Sequence, residues 1–507
     1  MAITLTGLAA NDRTPGNYVE VAFAQGDASL GNTTYGALLI GNSTSAGSAT
    51  AAVVYGPSTS TPLNTEADAI ALFGRGSELH RMYRVFVGVN PNTPVSAIAV
   101  ADPSGTAATR DHVIATTATG AGNLRIYIAG VAVDTPIASG DTAANIATAV
   151  VATINQKATE VALPVTASVV TSTTVRLTAR QTGPRGNWIR SGALITSGIG
   201  TTVSNSAFGF LASGATSDSS TSALATIAAS RYAYIVSAAN DSTQLAALKT
   251  QVASQALPTS NLRQIFFYGS NDTAGNTNTL AQGINHARGR CVWLANSDWE
   301  PPVLAAYAAA VVALEEVPFP PRCNFSGYGN DATTAGRWSV PAPLDGSAPT
   351  RAQVKAAIIA GVSPVGVNPN GTTYLAKLVT NYTAPSGGNP TDLRILDHHK
   401  VTVCDRFADD WVNKANQQFA GKKVAGDPLP GQRVPSADVV TPRVAKAALS
   451  KLVQDYGDVD LVQNVANIQA GIVCQRDPVV PSRIVASVPL ETIDILDQTA
   501  TLVNQTR

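Results

Sequence analysis

At 507 residues the chain exceeds what one hydrophobic core accommodates, and it reads as roughly three or four folding units. Its 34 Lys+Arg balance 34 Asp+Glu to a formal net charge of +0, which excludes a general nucleic-acid or acidic-membrane binder, since both require a basic excess. Hydrophobic residues reach 45% but aromatics only 6%, so burial is expected from Ala, Val, Leu and Ile in thin layers; charged residues are 13%, about half the usual share, and the near-zero net charge removes self-repulsion between closely packed copies.

Cys291, Cys323, Cys404 and Cys474 form no C-x-x-C pair, so neither a disulfide framework nor a zinc ribbon is expected, and they read as buried thiols made in a reducing cytoplasm. Met1-Ala-Ile-Thr-Leu-Thr-Gly7 lacks the basic and continuous apolar regions of a secretory signal. The longest apolar helix candidate, Val303 to Leu314, is too short to span a bilayer, so no direct membrane insertion is expected.

In chain order, the first strand signal is Tyr18 to Ala24, where Val19, Val21 and Phe23 alternate with Tyr18, Glu20 and Ala22. Such a strand is not stable alone, so residues 1–33 are expected to form an arm that pairs with a distant strand or another chain. Gly36 to Gly41, helices over Glu66 to Phe73 and Ser77 to Phe86, and a strand over Val95 to Ala101 make residues 34–105 the first part of an α/β domain. Residues 106–215 read as an insertion with a β-β-α-β-β pattern: strands Leu124 to Ile128, Val131 to Ile137, Val165 to Val170 and Val175 to Ala179, around a helix capped by Asp141. From Tyr232 to Leu314 strands and helices alternate as β-α units on a parallel sheet, and residues 216–390 form the second part of the α/β domain.

The last third begins near Thr391. Asp405 is expected to cap a helix that buries Phe407, Trp411, Ala415 and Phe419 and ends at Gly421. Thr441-Pro442 opens a second helix, stopped by Gly457. Ala445, Leu449, Leu452, Val453 and Tyr456 form its apolar face, and Arg443, Lys446 and Lys451 the opposite one; Lys414, Lys422 and Lys423 extend that basic patch. Strands over Ile484 to Val488 and Ile493 to Val503 close the chain, giving a C-terminal α+β domain over 391–491 and an arm over 492–507.

Candidate chemistry is sparse. Asp397-His398-His399 with Cys404 and Asp405 is the densest set of ligand-type residues, but neighbouring residues on a strand point to opposite faces, so a structural role is preferred and no metal or cofactor is expected. Phe73-Gly-Arg-Gly-Ser77 lacks the third glycine of a dinucleotide fingerprint, and Gly421-Lys-Lys423 has no glycine five residues earlier. No catalytic constellation emerges, so the chain is not expected to be an enzyme.

Four runs carry a resemblance: Arg13-Thr-Pro-Gly-Asn-Tyr-Val-Glu20, Phe73-Gly-Arg-Gly-Ser-Glu-Leu-His-Arg-Met-Tyr83, Asn370-Gly-Thr-Thr-Tyr-Leu-Ala-Lys-Leu-Val-Thr-Asn-Tyr-Thr383, and Cys474-Gln-Arg-Asp-Pro-Val-Val-Pro-Ser-Arg-Ile-Val485. In order and position they resemble the tail sheath proteins of contractile, Mu-like bacteriophages. The resemblance implies a multidomain sheath subunit with an outer insertion, whose closed strand-helix pattern makes it dispensable for polymerisation, and a tube-facing last third that carries the basic patch. It further implies stacked hexameric rings around a tail tube, contraction, contacts with baseplate and tail terminator proteins, no direct nucleic-acid contact, and a place in the virion after assembly in the host cytoplasm. Inter-subunit arms would run through Tyr18, Val19, Val21 and Phe23 at one end and Ile493, Ile495, Leu502 and Val503 at the other. Two rival classes are an α/β enzyme, which would need convergent titratable groups at strand C-termini, and a secreted surface-layer or adhesin protein, which would need an export signal.

Overall fold

The computed structural model describes Gly16, Asn17, Val19 and residues 36–383, 395–429 and 436–497. The first elements are β1 (Ala37–Asn42), fully buried, β2 (Val54–Tyr55), α1 (Glu66–Phe73), α2 (Glu78–Val89) and β3 (Val95–Val100). Thr65 and Asp68 form a reciprocal capping box on α1, and Ser77 caps α2. Gly74 and Gly76, at φ +81° and +78°, make the turn that separates the two helices. The G-x-G run is therefore a helix-helix turn; a Cβ on Gly74 would sit 2.1 Å from Thr44 Oγ1.

Next come β4 (Ala107–Val113), β5 (Gly122–Ile128), β6 (Val131–Ile137), α3 (Ala143–Glu160), β7 (Val165–Thr171), β8 (Thr174–Thr182), a 3-10 turn over Pro184–Trp188, β9 (Arg190–Ile195) and β10 (Gly209–Phe210). They build two antiparallel sheets, ordered β4-β8-β7 and β10-β9-β5-β6, over a core that includes Ile126, Ile146, Val150, Ile154 and Leu177. The four expected strands are present, and β4, β9 and β10 add to them. β4 reads Ala-Ala-Thr-Arg-Asp-His-Val, with too little apolar alternation to be seen as a strand. Thr142, not Asp141, caps α3; the Asp141 carboxylate instead accepts from Ala138 N at 2.8 Å and closes the preceding turn.

The chain continues with α4 (Thr221–Thr226), β11 (Tyr234–Ser237), α5 (Ser242–Gln255), β12 (Ile265–Ser270), α6 (Ala274–Ile284), β13 (Gly289–Trp293), α7 (Pro301–Glu316), α8 (Arg351–Ile359), β14 (Val362–Val367) and β15 (Thr373–Leu375). An eight-stranded sheet runs β15-β14-β13-β12-β11-β1-β3-β2. Its six inner strands pair in parallel, and β1 pairs with β11 from Ala37↔Tyr234 to Ile40↔Ser237, so strands from both sides of residues 106–215 share one sheet. Only β2 and β15, at the edges, are antiparallel.

Helices cover both faces. Phe86 of α2 and Leu304, Ala308 and Val312 of α7 pack on one face, and Leu248 and Val252 of α5, Ile284 of α6 and Ala357 of α8 on the other. α7 is buried all round except at Leu314 and Glu315. Its alanines let α2 and the sheet approach closely, and each large apolar side chain buried there stabilises by about 1.5–3 kcal/mol.

The last part holds α9 (His398–Phe419), β16 (Lys423–Val424), β17 (Val439–Val440), α10 (Pro442–Gly457), α11 (Val465–Gly471), β18 (Val473–Arg476) and β19 (Ile484–Ser487). Val403 and Phe407 of α9 meet Leu449, Val453 and Tyr456 of α10 in a separate core, and the expected apolar face of α10 is buried as a whole. α9 starts two turns earlier than expected: Asp397 is the N-cap residue, and Asp405 lies inside the helix. β18 and β19 form an antiparallel hairpin, closed by Asp477, which accepts from Val479 N, Val480 N and Arg483. Among the described residues no helix is long and apolar enough to cross a membrane. The fold is thus mixed α/β, with a doubly wound sheet, two small antiparallel sheets and an α+β C-terminal part.

Candidate assembly interfaces

The amino-terminal ends of the central strands each carry arginine: Arg231 before β11, Arg263 before β12, Arg288 and Arg290 at β13. α9 crosses these ends and presents Asp405 and Asp409, one helical turn apart, to them. Arg263 pairs with Asp409 at 2.8 Å, Arg231 donates to the same carboxylate at 3.1 Å, and Arg288 holds Asp405, with Nη2 2.7 Å from Oδ1. Deeper, Arg290 Nε donates to His398 Nδ1 at 2.6 Å, which leaves the imidazole proton on Nε2, 2.8 Å from Glu316 at the end of α7. Thr402 also donates to Glu316 at 2.9 Å, and Arg406 to the Glu316 carbonyl at 3.0 Å. Burial holds the His398 pKa below its ordinary value, against the pull of Glu316. His399 faces elsewhere and pairs through Nε2 with the Ile493 carbonyl at 2.9 Å. The Asp-His-His run is therefore a joint between α9, the sheet and the chain's last described residues, in the first turn of a helix rather than on a strand. Among the described residues no three His, Cys, Asp or Glu side chains are grouped to hold a metal.

This network was missed at the level of sequence. The available signal was an arginine just ahead of successive buried strands, matched by carboxylates at i and i+4 on a later helix.

A cleft opens beside the joint, lined by Arg231, Gln264, Glu316, Arg406 and Asp409 among others. It lies at the amino ends of β11 and β12, opposite to the end where doubly wound sheets bind ligands. The described part of the N-terminal arm comes to the same place: Asn261 donates to Asn17 O at 3.1 Å, Arg263 donates to Val19 O at 2.8 Å, and Asn17 pairs with Asn416 of α9. Tyr18, Val21 and Phe23 lie outside the described residues, as do Leu502 and Val503.

Ile493 and Ile495 are not in a strand within the single chain; the expected pairing is with a neighbouring subunit. Thr492 makes a single bridge to Val462, Ile493 N donates to Leu461 O at 3.3 Å, Lys400 pairs with Asp494 at 2.6 Å, and Asp497 accepts from Ser326 at 2.5 Å and pairs with Lys377. Anchors on α9, on the loop after α7 and just after β15 hold residues 493–497 on their own subunit.

The six basic residues of the expected patch divide into two sets. Lys446 donates to the Ile472 carbonyl at 2.7 Å, while Lys451 at 2.6 Å and Lys414 at 3.8 Å share Asp455. Arg443, Lys422 and Lys423 are exposed, as is Lys451 despite its pairing with Asp455. Parallel pairing of β16 with β17, three residues ahead of Arg443, brings Lys422 and Lys423 toward the start of α10, where Asp427 accepts from Arg443 N at 2.9 Å.

Fold and surface together describe a mixed α/β chain whose buried charges join its own parts. No protein-family model matches the sequence. Over 444 residues, 82% of this chain and 83% of the relative, the sequence is 24% identical to the Mu-like prophage FluMu tail sheath protein of Haemophilus influenzae. The resemblance to Mu-like tail sheath proteins noted in the four motifs thus extends over most of the chain. Among solved structures, the sheath tail protein from Desulfitobacterium hafniense aligns with 94% of this chain and 100% of its own, at 10% identity and a TM-score of 0.43. A chain of the anti-feeding prophage baseplate aligns with 98% and 100%, at 8% identity and a TM-score of 0.43.

Proposed function

We propose that this chain is the sheath subunit of a contractile phage tail. It polymerises as stacked hexameric rings around the tail tube, meets baseplate and tail terminator proteins at the two ends, and shortens to drive the tube through the host envelope without catalysing a reaction. It is assembled in the host cytoplasm and resides in the virion, with no direct contact to nucleic acid and no insertion into membrane. The observation that carries this is the similarity to a tail sheath protein along four-fifths of both chains. Non-closing contacts between copies generate helical stacks, and bistable packing between copies supplies the two lengths. Strands exchanged between neighbours keep copies connected as they move: the N-terminal arm through the residues that include Val21 and Phe23, beyond the part held at Asn17 and Val19, and the C-terminal arm through the residues that include Leu502 and Val503. The exposed trio Arg443, Lys422 and Lys423 faces the tube.

Electron microscopy of the purified chain tests the proposal. Striated hollow tubes, or rings that stack into them, are expected. A monodisperse monomer at high concentration, with no tubes on addition of its tail tube protein, would overturn it.

A further inference from the structure

In doubly wound sheets, ligands enter beyond the carboxyl ends of the strands, where neighbouring strands lead off to opposite sides. Here that point lies between β1 and β11, since β3 flanks β1 on one side and β11 to β14 extend on the other. The unit built from β4 to β10 occupies it. Arg185, in the 3-10 turn after β8, reaches the carboxyl end of β1, pairs with Glu78 at 2.9 Å, and contacts Asn42 and Asp218. Glu78 accepts from Asn42 N at 2.9 Å. A Cβ on Gly41 would lie 3.1 Å from Glu78 Oε2 and 3.3 Å from Ala238 Cβ, so this carboxylate sits between the ends of β1 and β11. Arg190, at the start of β9, donates to Asn296 O at 2.7 Å and to Asp298 at 3.1 Å beyond the end of β13, and contacts Asp345. Between the two arginines, Asn271 after β12 donates to Trp188 O at 3.1 Å.

We propose that residues 183–191 are a permanent internal plug. Their two arginines fill the crevice as a ligand's charge would, and they lock the β4 to β10 unit to the sheet so that the two move as one rigid lever. The charges are deeply buried: side-chain exposure is 1% for Glu78, 3% for Asp298 and 2% for Arg190. Swinging the unit away would break these buried pairs and the hydrogen bonds to the Asn296 and Trp188 carbonyls together, which is unfavourable. A hinged appendage would instead meet the body through exposed, exchangeable contacts. Burial already pushes the Asp298 pKa upward, with Arg190 and the Leu344 N–H opposing it.

Hydrogen exchange on the full-length chain tests the lock, comparing the parent with Arg190→Met, Asp298→Asn and the double variant. Arg190→Met is expected to speed exchange at residues 271–272, 296–299 and 209–211 by at least about tenfold, with β12 itself unchanged. Adding Asp298→Asn should bring the rates back to within about threefold of the parent, because the buried stranded charge is gone and the remaining Asp345, 31% exposed, is open to water. Unchanged exchange in Arg190→Met overturns the lock. Exchange that stays fast in the double variant overturns it too, since lost packing would then be the cause. If Arg190→Met unfolds globally, refolding on addition of Asp298→Asn supports the lock, and failure to refold overturns it.

Discussion

Asp410 of α9 lies 3.5 Å from the Tyr456 hydroxyl, on the side packed against α10. Burial is the main influence on it and pushes its pKa up to about 7; Asp409 adds to the rise, while Arg406 and Lys414 oppose it. The folded chain therefore keeps a proton that the unfolded chain releases from about pH 4 upward, so this group's contribution to stability falls between about pH 4 and pH 7 and then levels off. Asp410→Asn should flatten that slope, with a gain on the order of 1–2 kcal/mol at about pH 8 and little at about pH 4, after allowance for its partial solvent screening. Melting temperatures at the two pH values check this, and equal shifts at both would contradict it. Asp409→Ala should act the other way. Arg263 is fully buried against that carboxylate, and stranding it should cost about 3–5 kcal/mol. Neither role was legible in the sequence, because Asp405, Asp409 and Asp410 occupy helix positions that also suit a solvated face; the arginines that hold Asp405 and Asp409 lie more than a hundred residues away, and Tyr456, beside Asp410, is on a different helix.

Among elements, α10 was the most legible. Thr441-Pro442 supplies cap and first turn, and five apolar residues at helical spacing mark the buried face. The opposite face could be read for charge but not for partners. Charge reversal of Arg443, Lys422 and Lys423 together should weaken binding to the tail tube, with added salt mimicking the loss because exposed charges are screened over about 10 Å at 0.1 M. Reversal of Lys414, Lys446 and Lys451 should instead lower the melting temperature, since these side chains hold Asp455 and the Ile472 carbonyl. Tube co-sedimentation and thermal unfolding on the two triple variants separate the sets. Equal loss of tube binding in both would remove the distinction. The start of α9 was illegible for a different reason. Val401, Thr402 and Val403 favour a strand by local preference, and the helical first turn is fixed by what His398 and His399 touch, which overrides that preference.

For the whole molecule, alternating strands and helices made the parallel sheet readable, whereas the edge strands β2 and β15 and the added strand β4 were too short or too polar to be seen. The arms give the large-scale prediction. Removing residues 498–507 should leave unfolding unchanged and reduce tube formation, whereas a cut at 492 should also destabilise the C-terminal part, because Ile493, Asp494 and Asp497 are anchored to their own subunit. Calorimetry with particle counts by electron microscopy checks both, and full tube formation without residues 498–507 would remove that arm from assembly. The edges of the eight-stranded sheet bear on the same question. β2 offers two residues and β15 three, each antiparallel to its neighbour and ending in a turn or loop. Long open edges held side by side at the local concentration inside a tail would fuse laterally into continuous sheet and freeze the array in one length. Stubs this short deny that route, so in the proposed sheath many copies would crowd together and still be able to slide past one another.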